Sequence, residues 1–386
     1  MSNDLFLTGA RLRAACTGRP VAVAAYAPAA SPLRPVAVSV ATERGRVHVE
    51  ASDGLRRASG TGRAGLAALD SLGLSALDTA PRTLVCASVG AVAALAALAR
   101  EYPQAVCAPV LDWWDQRVDH PGTRAVLCVL DAARGRWVLG ETPEAERELE
   151  TWSRWLGVTE QGPDGLLALA RAATAGPALP GLDAGEADDG RAWDRLREAT
   201  RQGRPWRLPD TRAGAALALA ARSHACEYFA SLRLDDPLVA RAAVWDGSVV
   251  SGTVVMRSTG TLVVRADHPV SRLRVDAAVT GWAGQAWEPR TERAGTGRVQ
   301  SASVGTDGVL TLTVGDLVAR GLADAAPGGR VTLRAARVDP FMHARGRSMQ
   351  ASALFRSGNW IAGRGAAVRR RGDVPMDVVI AAADAT

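Results

Sequence analysis

The chain has 386 residues, a formal net charge of +6, 47% hydrophobic and 22% charged residues; this is an ordinary globular composition, long enough for two or three domains. All 46 residues in the Lys+Arg count are arginine, which excludes chemistry that needs a lysine amine: a Walker-type phosphate lysine, a Schiff base or a Ser-Lys pair. Arginine still forks two hydrogen bonds onto a phosphate and stacks on bases, so an anionic partner stays open.

Residues 1–20 show no basic start followed by an apolar run, and no apolar stretch is long and uninterrupted enough for a bilayer. A cytoplasmic protein with no membrane association is therefore expected. Pro20 to Ala27, Pro35 to Thr42 and Arg46 to Ala51 alternate like strands between Pro- and Gly-containing turns, which predicts a three-stranded antiparallel meander. Leu66, Leu69 and Leu72 then recur at helical spacing, Arg82 to Cys86 reads as a short apolar strand, and Val89 to Arg100 reads as a helix ending before Pro103. Ala125 to Leu130 is a second buried strand, with Arg136 to Leu139 beside it. These elements define an expected α/β domain over 1–140.

Between Glu141 and Glu198 there are 13 acidic residues against six arginines. The stretch reads as helical, starting at Thr142-Pro143, with Trp152 and Trp155 on one face and Gly176 to Gly190 as a loop or linker. A long alanine-rich helix follows from about Thr211 to Leu234, where Asp235-Asp236-Pro237 stops it. Residues 141–240 are thus expected to form a helical connector, acidic and then alanine-rich. Beyond Trp245 the period becomes two: Ser248 to Arg257, Gly260 to Arg265, Leu273 to Thr280, Gly297 to Val304, Gly308 to Val314 and Arg330 to Arg337. Six short strands with Gly-rich turns predict an all-β barrel or sandwich over 241–386, which Val374 to Ala383 could close, and the whole chain reads as α+β.

The N-terminal order of three strands, helix, strand, helix and strand resembles the ribonuclease H-like fold over residues 18–140. That resemblance implies carboxylates on the first strand, in the first helix and at the end of the fourth strand, holding two metal ions around a phosphodiester. Asp70 matches the helix position; Val21 to Ala27 carries no acid, and Leu84-Val85-Cys86 runs into Ala87-Ser88. A degenerate domain without metal-dependent cleavage is the expectation. The run Cys86-Ala87-Ser88-Val89-Gly90 resembles the nucleophile elbow of α/β-hydrolases with cysteine in place of its first glycine, and His120 follows too soon to serve as the base of a normal triad, so a plain strand-to-helix turn is expected.

No metal or dinucleotide signature stands out, and no cofactor is expected. His48, His120, His224, His268 and His343 form no HxH or HExxH arrangement, and His224 and Cys226 point to different faces of a helix. The pairs Asp112/Asp115 and Asp188/Asp189 have the chemistry to hold magnesium, but solvated turns are the expectation. Cys16, Cys86, Cys107, Cys128 and Cys226 are scattered singly without CxxC spacing, four of them in apolar surroundings, and are expected as buried reduced thiols.

The strongest local signal lies between Phe341 and Arg371. It holds Arg345, Arg347, Arg356, Arg364, Arg369, Arg370 and Arg371 without any acidic residue, interleaved with Phe341, Phe355 and Trp360. Guanidinium groups on phosphates and aromatic faces under bases are the combination that single-strand and RNA binders use. A small barrel carrying such a segment, with Val249 to Val255 as a glycine-bent first strand, resembles oligonucleotide-binding (OB) barrels. The expected partner is a nucleic acid or other polyanion, contacted by these seven arginines and Trp360, in a non-catalytic protein. Other readings remain open: the segment docks on the acidic stretch from Glu141 to Glu198 or is a solvated basic loop without a specific partner, and the protein is a structural or adaptor subunit with Trp113, Trp114, Trp152 and Trp155 as interface anchors or, as the least favoured reading, a hydrolase or nuclease.

Overall fold

The computed structural model describes residues 3–75, 77, 79–206, 212–288, 294–318, 322 and 325–337, and they form an α+β protein. The N-terminal part begins with α1 (Asn3–Thr17) and β1 (Val21–Ala22), continues through β2 (Val36–Glu43), β3 (Arg46–Ser52), β4 (Arg57–Thr61) and α2 (Arg63–Ser71), and then β5 (Leu84–Cys86), α3 (Val89–Glu101) and α4 (Ala108–Val118). It goes on with β6 (Val126–Cys128), α5 (Val129–Arg136), β7 (Trp137–Val138), a 3-10 turn at Ala145–Arg147, α6 (Leu149–Leu156) and α7 (Gly162–Thr174).

Five strands make one sheet in the order β4-β3-β2-β5-β6. Strands β2, β3 and β4 are antiparallel neighbours, whereas β5 runs parallel to β2 and β6 parallel to β5. A parallel neighbour needs a crossover, and the helices that supply it cover the faces of the sheet. Period two sorts the side chains accordingly. Val36, Val38, Leu84, Cys86 and Val126 face one core with Leu66 and Leu69 of α2, Leu95 of α3 and Trp113 and Trp114 of α4. Ala37, Val85 and Leu127 face the other core with Ala132 of α5, Trp152 of α6 and Leu166, Leu169 and Ala173 of α7.

Four expectations change here. The meander is β2-β3-β4 and not Pro20 to Ala27 with the next two segments; of that first segment Val21–Ala22 alone is a strand, and it pairs with β7. Arg136 to Leu139 therefore contributes Trp137–Val138 to β1 and is not a neighbour of β6. The strand read as Ala125 to Leu130 ends at Cys128, because α5 starts at Val129. Three of the four proposed interface tryptophans, Trp113, Trp114 and Trp152, are buried in the two cores and Trp155 packs against the second, so they anchor this chain's own interior.

After α7 come α8 (Asp183–Arg201), α9 (Arg212–Arg233) and α10 (Pro237–Ala243). Helix α8 occupies much of the expected Gly176 to Gly190 linker; Asp183 and Glu186 in its first turn favour the positive helix terminus, and Trp193 packs edge-on against Trp113 at 4.9 Å. Asp236 caps α10 by accepting from the backbone N–H of Leu238 and Val239, with Pro237 at the first position. Among the described residues no helix is long and apolar enough to cross a membrane. Residues 1–207 and 225–339 form one compact unit and residues 208–224 with 340–386 another; of the second, the first part of α9 is described.

The remaining strands are β8 (Val249–Ser258), β9 (Thr261–Ala266), β10 (Ala278–Ala283), β11 (Gly295–Val304), β12 (Leu310–Val318) and β13 (Arg330–Ala335). They close into a barrel in the order β10-β11-β12-β9-β8-β13, every pair antiparallel. The strand expected from Leu273 to Thr280 is displaced to Ala278–Ala283. Inward residues such as Val250, Val254, Leu262, Val264, Leu312, Val314, Val331 and Leu333 fill it. Closure needs bends, which register shifts supply in β8 between Val254 and Met256 and in β11 between Thr296 and Ser301. Gly252 meets a second need: a Cβ there would stand 2.4 Å from the Arg265 carbonyl oxygen. Arg334 on β13 is fully buried, with Nη2 on Asp235 at 2.5 Å and Nη1 on the Ser231 carbonyl at 2.7 Å, both beside the end of α9.

Candidate functional site

The positions at which the ribonuclease H-like resemblance implies carboxylates can be located on the sheet. The strand that leads the meander is β2, and its one acid, Glu43, lies at the exposed far end. At the end of β5 stand Cys86, Ala87 and Ser88. Asp70 is half-buried on α2, and the groups it meets are the Cys107 thiol and the Ser75 hydroxyl. Burial raises the Asp70 carboxyl above its usual range, and burial beside that carboxylate pushes the Cys107 thiol up to about 12. Among the described residues no group of three or more His, Cys, Asp or Glu side chains is placed to hold a metal ion. The two acidic pairs are engaged by other side chains: Asp112 accepts from Gln116 at 2.7 Å, Asp115 lies 3.5 Å from Arg100, and both Asp188 and Asp189 contact Arg117.

Ser88 occupies the N-cap position of α3, where its side chain makes no capping hydrogen bond, with φ −155° and ψ 172°. This is relaxed extended backbone, whereas a nucleophile elbow holds its serine in a strained turn. Among the described residues no histidine hydrogen-bonds to Ser88. His48 meets the Thr61 hydroxyl at 3.0 Å, and His268 packs on Trp245 at 4.3 Å between ring centres.

A cavity of about 270 Å3 opens beyond the carboxyl ends of the parallel strands, where α3 and α5 begin. In open α/β sheets this is the customary place for ligands. Pro28, Val118, Leu127 and Phe229 give it apolar walls, and His120, Cys128, Asp131 and Arg233 bring polar groups to it. Arg233 donates to the Gly135 carbonyl at 3.3 Å, and burial lowers its pKa despite the nearby charge of Asp236. Cys128 is half-buried, and its sulfur lies 3.9 Å from that of Cys86, the residue paired with it across β5 and β6. Cys16 and Cys226 are exposed, contrary to the expectation of buried thiols, while Cys86 and Cys107 are buried. Spacing could not signal the Cys86–Cys128 pair, because the two residues are 42 apart in sequence and meet only through strand register.

The acidic stretch is met in place by arginines. Of its 13 carboxylates, Glu141, Glu146, Asp164, Glu186, Asp188, Asp189 and Asp194 form ion pairs, with Arg11, Arg57, Arg117 and Arg124 reaching them from outside the stretch. Asp189 is buried and accepts from Arg117 Nε at 2.6 Å, from the Thr123 hydroxyl and from the backbone N–H of Arg124 and Ala125. Burial still raises its pKa. The residues expected to touch nucleic acid, Arg345, Arg347, Arg356, Trp360, Arg364, Arg369, Arg370 and Arg371, lie outside the described residues, as does Val374 to Ala383. No protein-family model, curated protein or solved structure matches this chain.

Proposed function

We propose that this is a non-catalytic, cytoplasmic polyanion-binding protein in which the arginine-rich segment from Phe341 to Arg371, carried after the barrel, contacts the phosphates of a nucleic acid. The observation that carries this reading is the pairing of the acidic stretch. Seven of its carboxylates already have arginine partners in the N-terminal half, so it is a poor acceptor for seven further arginines. The burial of three of the four tryptophans weakens the adaptor reading in the same way. The ribonuclease H-like and OB-like resemblances belong to the proposal: a meander followed by two parallel strands supports the first, and a closed barrel supports the second. The non-catalytic part rests on Asp70, which meets a thiol and a hydroxyl and belongs to no group of three or more His, Cys, Asp or Glu placed to hold a metal ion among the described residues.

A salt series tests the proposal. Binding to single-stranded DNA and RNA oligonucleotides should weaken steeply with salt. Changing Arg345, Arg347, Arg369, Arg370 and Arg371 to Gln should make the log-log slope shallower by about 0.7 for each phosphate no longer neutralised, with little change in melting temperature. Absence of wild-type binding at low salt overturns the reading and favours an adaptor role. Cleavage of either oligonucleotide in magnesium or manganese that disappears in Asp70→Asn overturns the non-catalytic part.

A further inference from the structure

Cys86 and Cys128 occupy matched positions on adjacent parallel strands, and their sulfurs are 3.9 Å apart. Neighbouring strands run about 4.8 Å apart, and a disulfide spans α-carbons about 4.4–6.8 Å apart. A bond between these sulfurs therefore asks for a rotation of side chains and leaves the strands where they are. The two thiols differ in access: Cys86 is buried, whereas Cys128 lines the cavity at the sheet end. Cys128 also stands at the N-cap position of α5, and Arg233 brings a guanidinium to the same cavity. Asp131 in the first turn of α5 lines that cavity as well. Cys86 Sγ donates to the Ser88 carbonyl at 3.5 Å, and the contact with Cys128 and then burial raise its thiol above the ordinary range.

We propose that Cys86 and Cys128 form an oxidisable dithiol site, in which Cys128 reacts with a small hydroperoxide admitted by the cavity and Cys86 resolves the product as an internal disulfide. In the first step the Cys128 thiolate attacks one peroxide oxygen. An S–O bond forms, the O–O bond breaks, and the departing alkoxide or hydroxide takes a proton to leave as alcohol or water. In the second step Cys86 sulfur attacks the sulfenic sulfur of Cys128. The S–S bond forms, the S–O bond breaks, and hydroxide takes the Cys86 proton and leaves as water. Two thiols are oxidised and one peroxide is reduced, with no other redox partner. The cavity restricts the site to small oxidants, while Cys16 and Cys226 are open to any reagent.

The test treats the folded full chain with hydrogen peroxide, blocks remaining thiols after denaturation and maps the peptides by mass. The expected result is a linked Cys86–Cys128 peptide, near-complete loss of both free thiols, and Cys107 recovered reduced. In Cys86→Ser, dimedone should trap a sulfenic acid on Cys128; in Cys128→Ser, Cys86 should stay reduced. Recovery of Cys128 as a free thiol while Cys16 and Cys226 are oxidised overturns the proposal, and so does overoxidised Cys128 beside a reduced Cys86. The wild-type map decides the matter by itself if either variant fails to fold.

Discussion

The open sheet and the closed barrel solve the same problem with different materials. The sheet is three residues deep at β5 and β6, and it gains its core from helices on both faces, with Trp113, Trp114, Trp152 and Trp193 filling the space between layers. Among the described residues, the core enclosed by the barrel strands is built from valine, leucine and alanine with no aromatic ring. Stability in the first depends on the volume of a few large side chains, and in the second on the path of the backbone.

Truncation should expose the difference most strongly. Trp114→Ala empties the fully buried site that this side chain of α4 fills and should cost about 3–5 kcal/mol. Leu312→Ala in the barrel should fall lower in the range of about 2–5 kcal/mol, since a smaller side chain is removed. Chemical denaturation of both variants measures this, and a barrel cost above that of Trp114→Ala would break the comparison.

A smaller effect of the opposite kind belongs to the barrel. Gly252→Ala adds one carbon, which meets the Arg265 carbonyl oxygen at 2.4 Å and the Ala266 Cα at 3.0 Å. Neither neighbour is the end of a flexible side chain, so a loss of about 1–3 kcal/mol is expected. Gly73 in the N-terminal part has φ +81° and open space around it; Gly73→Asn, a residue that tolerates left-handed backbone, should cost less. Equal melting temperatures for Gly252→Ala and wild type would show that strand path is not what the barrel depends on.

The smallest effect is electrostatic. Asp164 on α7 accepts from Ser52 of β3 and Arg57 of β4, tying a helix to the antiparallel edge of the sheet. The Ser52 hydroxyl and then the Arg57 guanidinium hold its carboxyl below the usual range. A depressed folded-state value means that the stabilisation is complete above the unfolded value of about 3.9 and is lost as pH falls through the folded one. Asp164→Asn should therefore lower the melting temperature at pH 7 by less than about 4 °C, as a solvent-screened pair does, and the difference should vanish in strong acid. A difference that persists there would point to packing.

Much of this contrast was legible in the sequence. Period two revealed β2, β3 and five of the six barrel strands nearly in place, and alanine and leucine content marked α9. Strand β4 was not readable, because Arg-Ala-Ser-Gly-Thr has no apolar alternation and is a strand through its pairing with β3. Pro20 to Ala27 had the alternation and lacked the neighbour: two residues find a partner in β7. Helix α8 was hidden by Gly185, Gly190 and four acids, whose cost is offset by Trp193 and by the buried Asp189. The candidate sites divide in the same way. The missing acid was read on Val21 to Ala27, which does not lead the meander; β2 leads it and carries Glu43 at its exposed end, and the cavity and the cysteine pair exist only once β5 and β6 are set side by side.

The buried Arg334 ties the register of the barrel to the end of a helix outside it. Its charge is tolerable on β13 only when Asp235 and the Ser231 carbonyl are already in position at the end of α9. A strand slipped by one residue would turn the guanidinium to the other face of the barrel and leave its acid behind. The register of β13 thus depends on the end of α9, and a barrel cut away from α9 should close in more than one register.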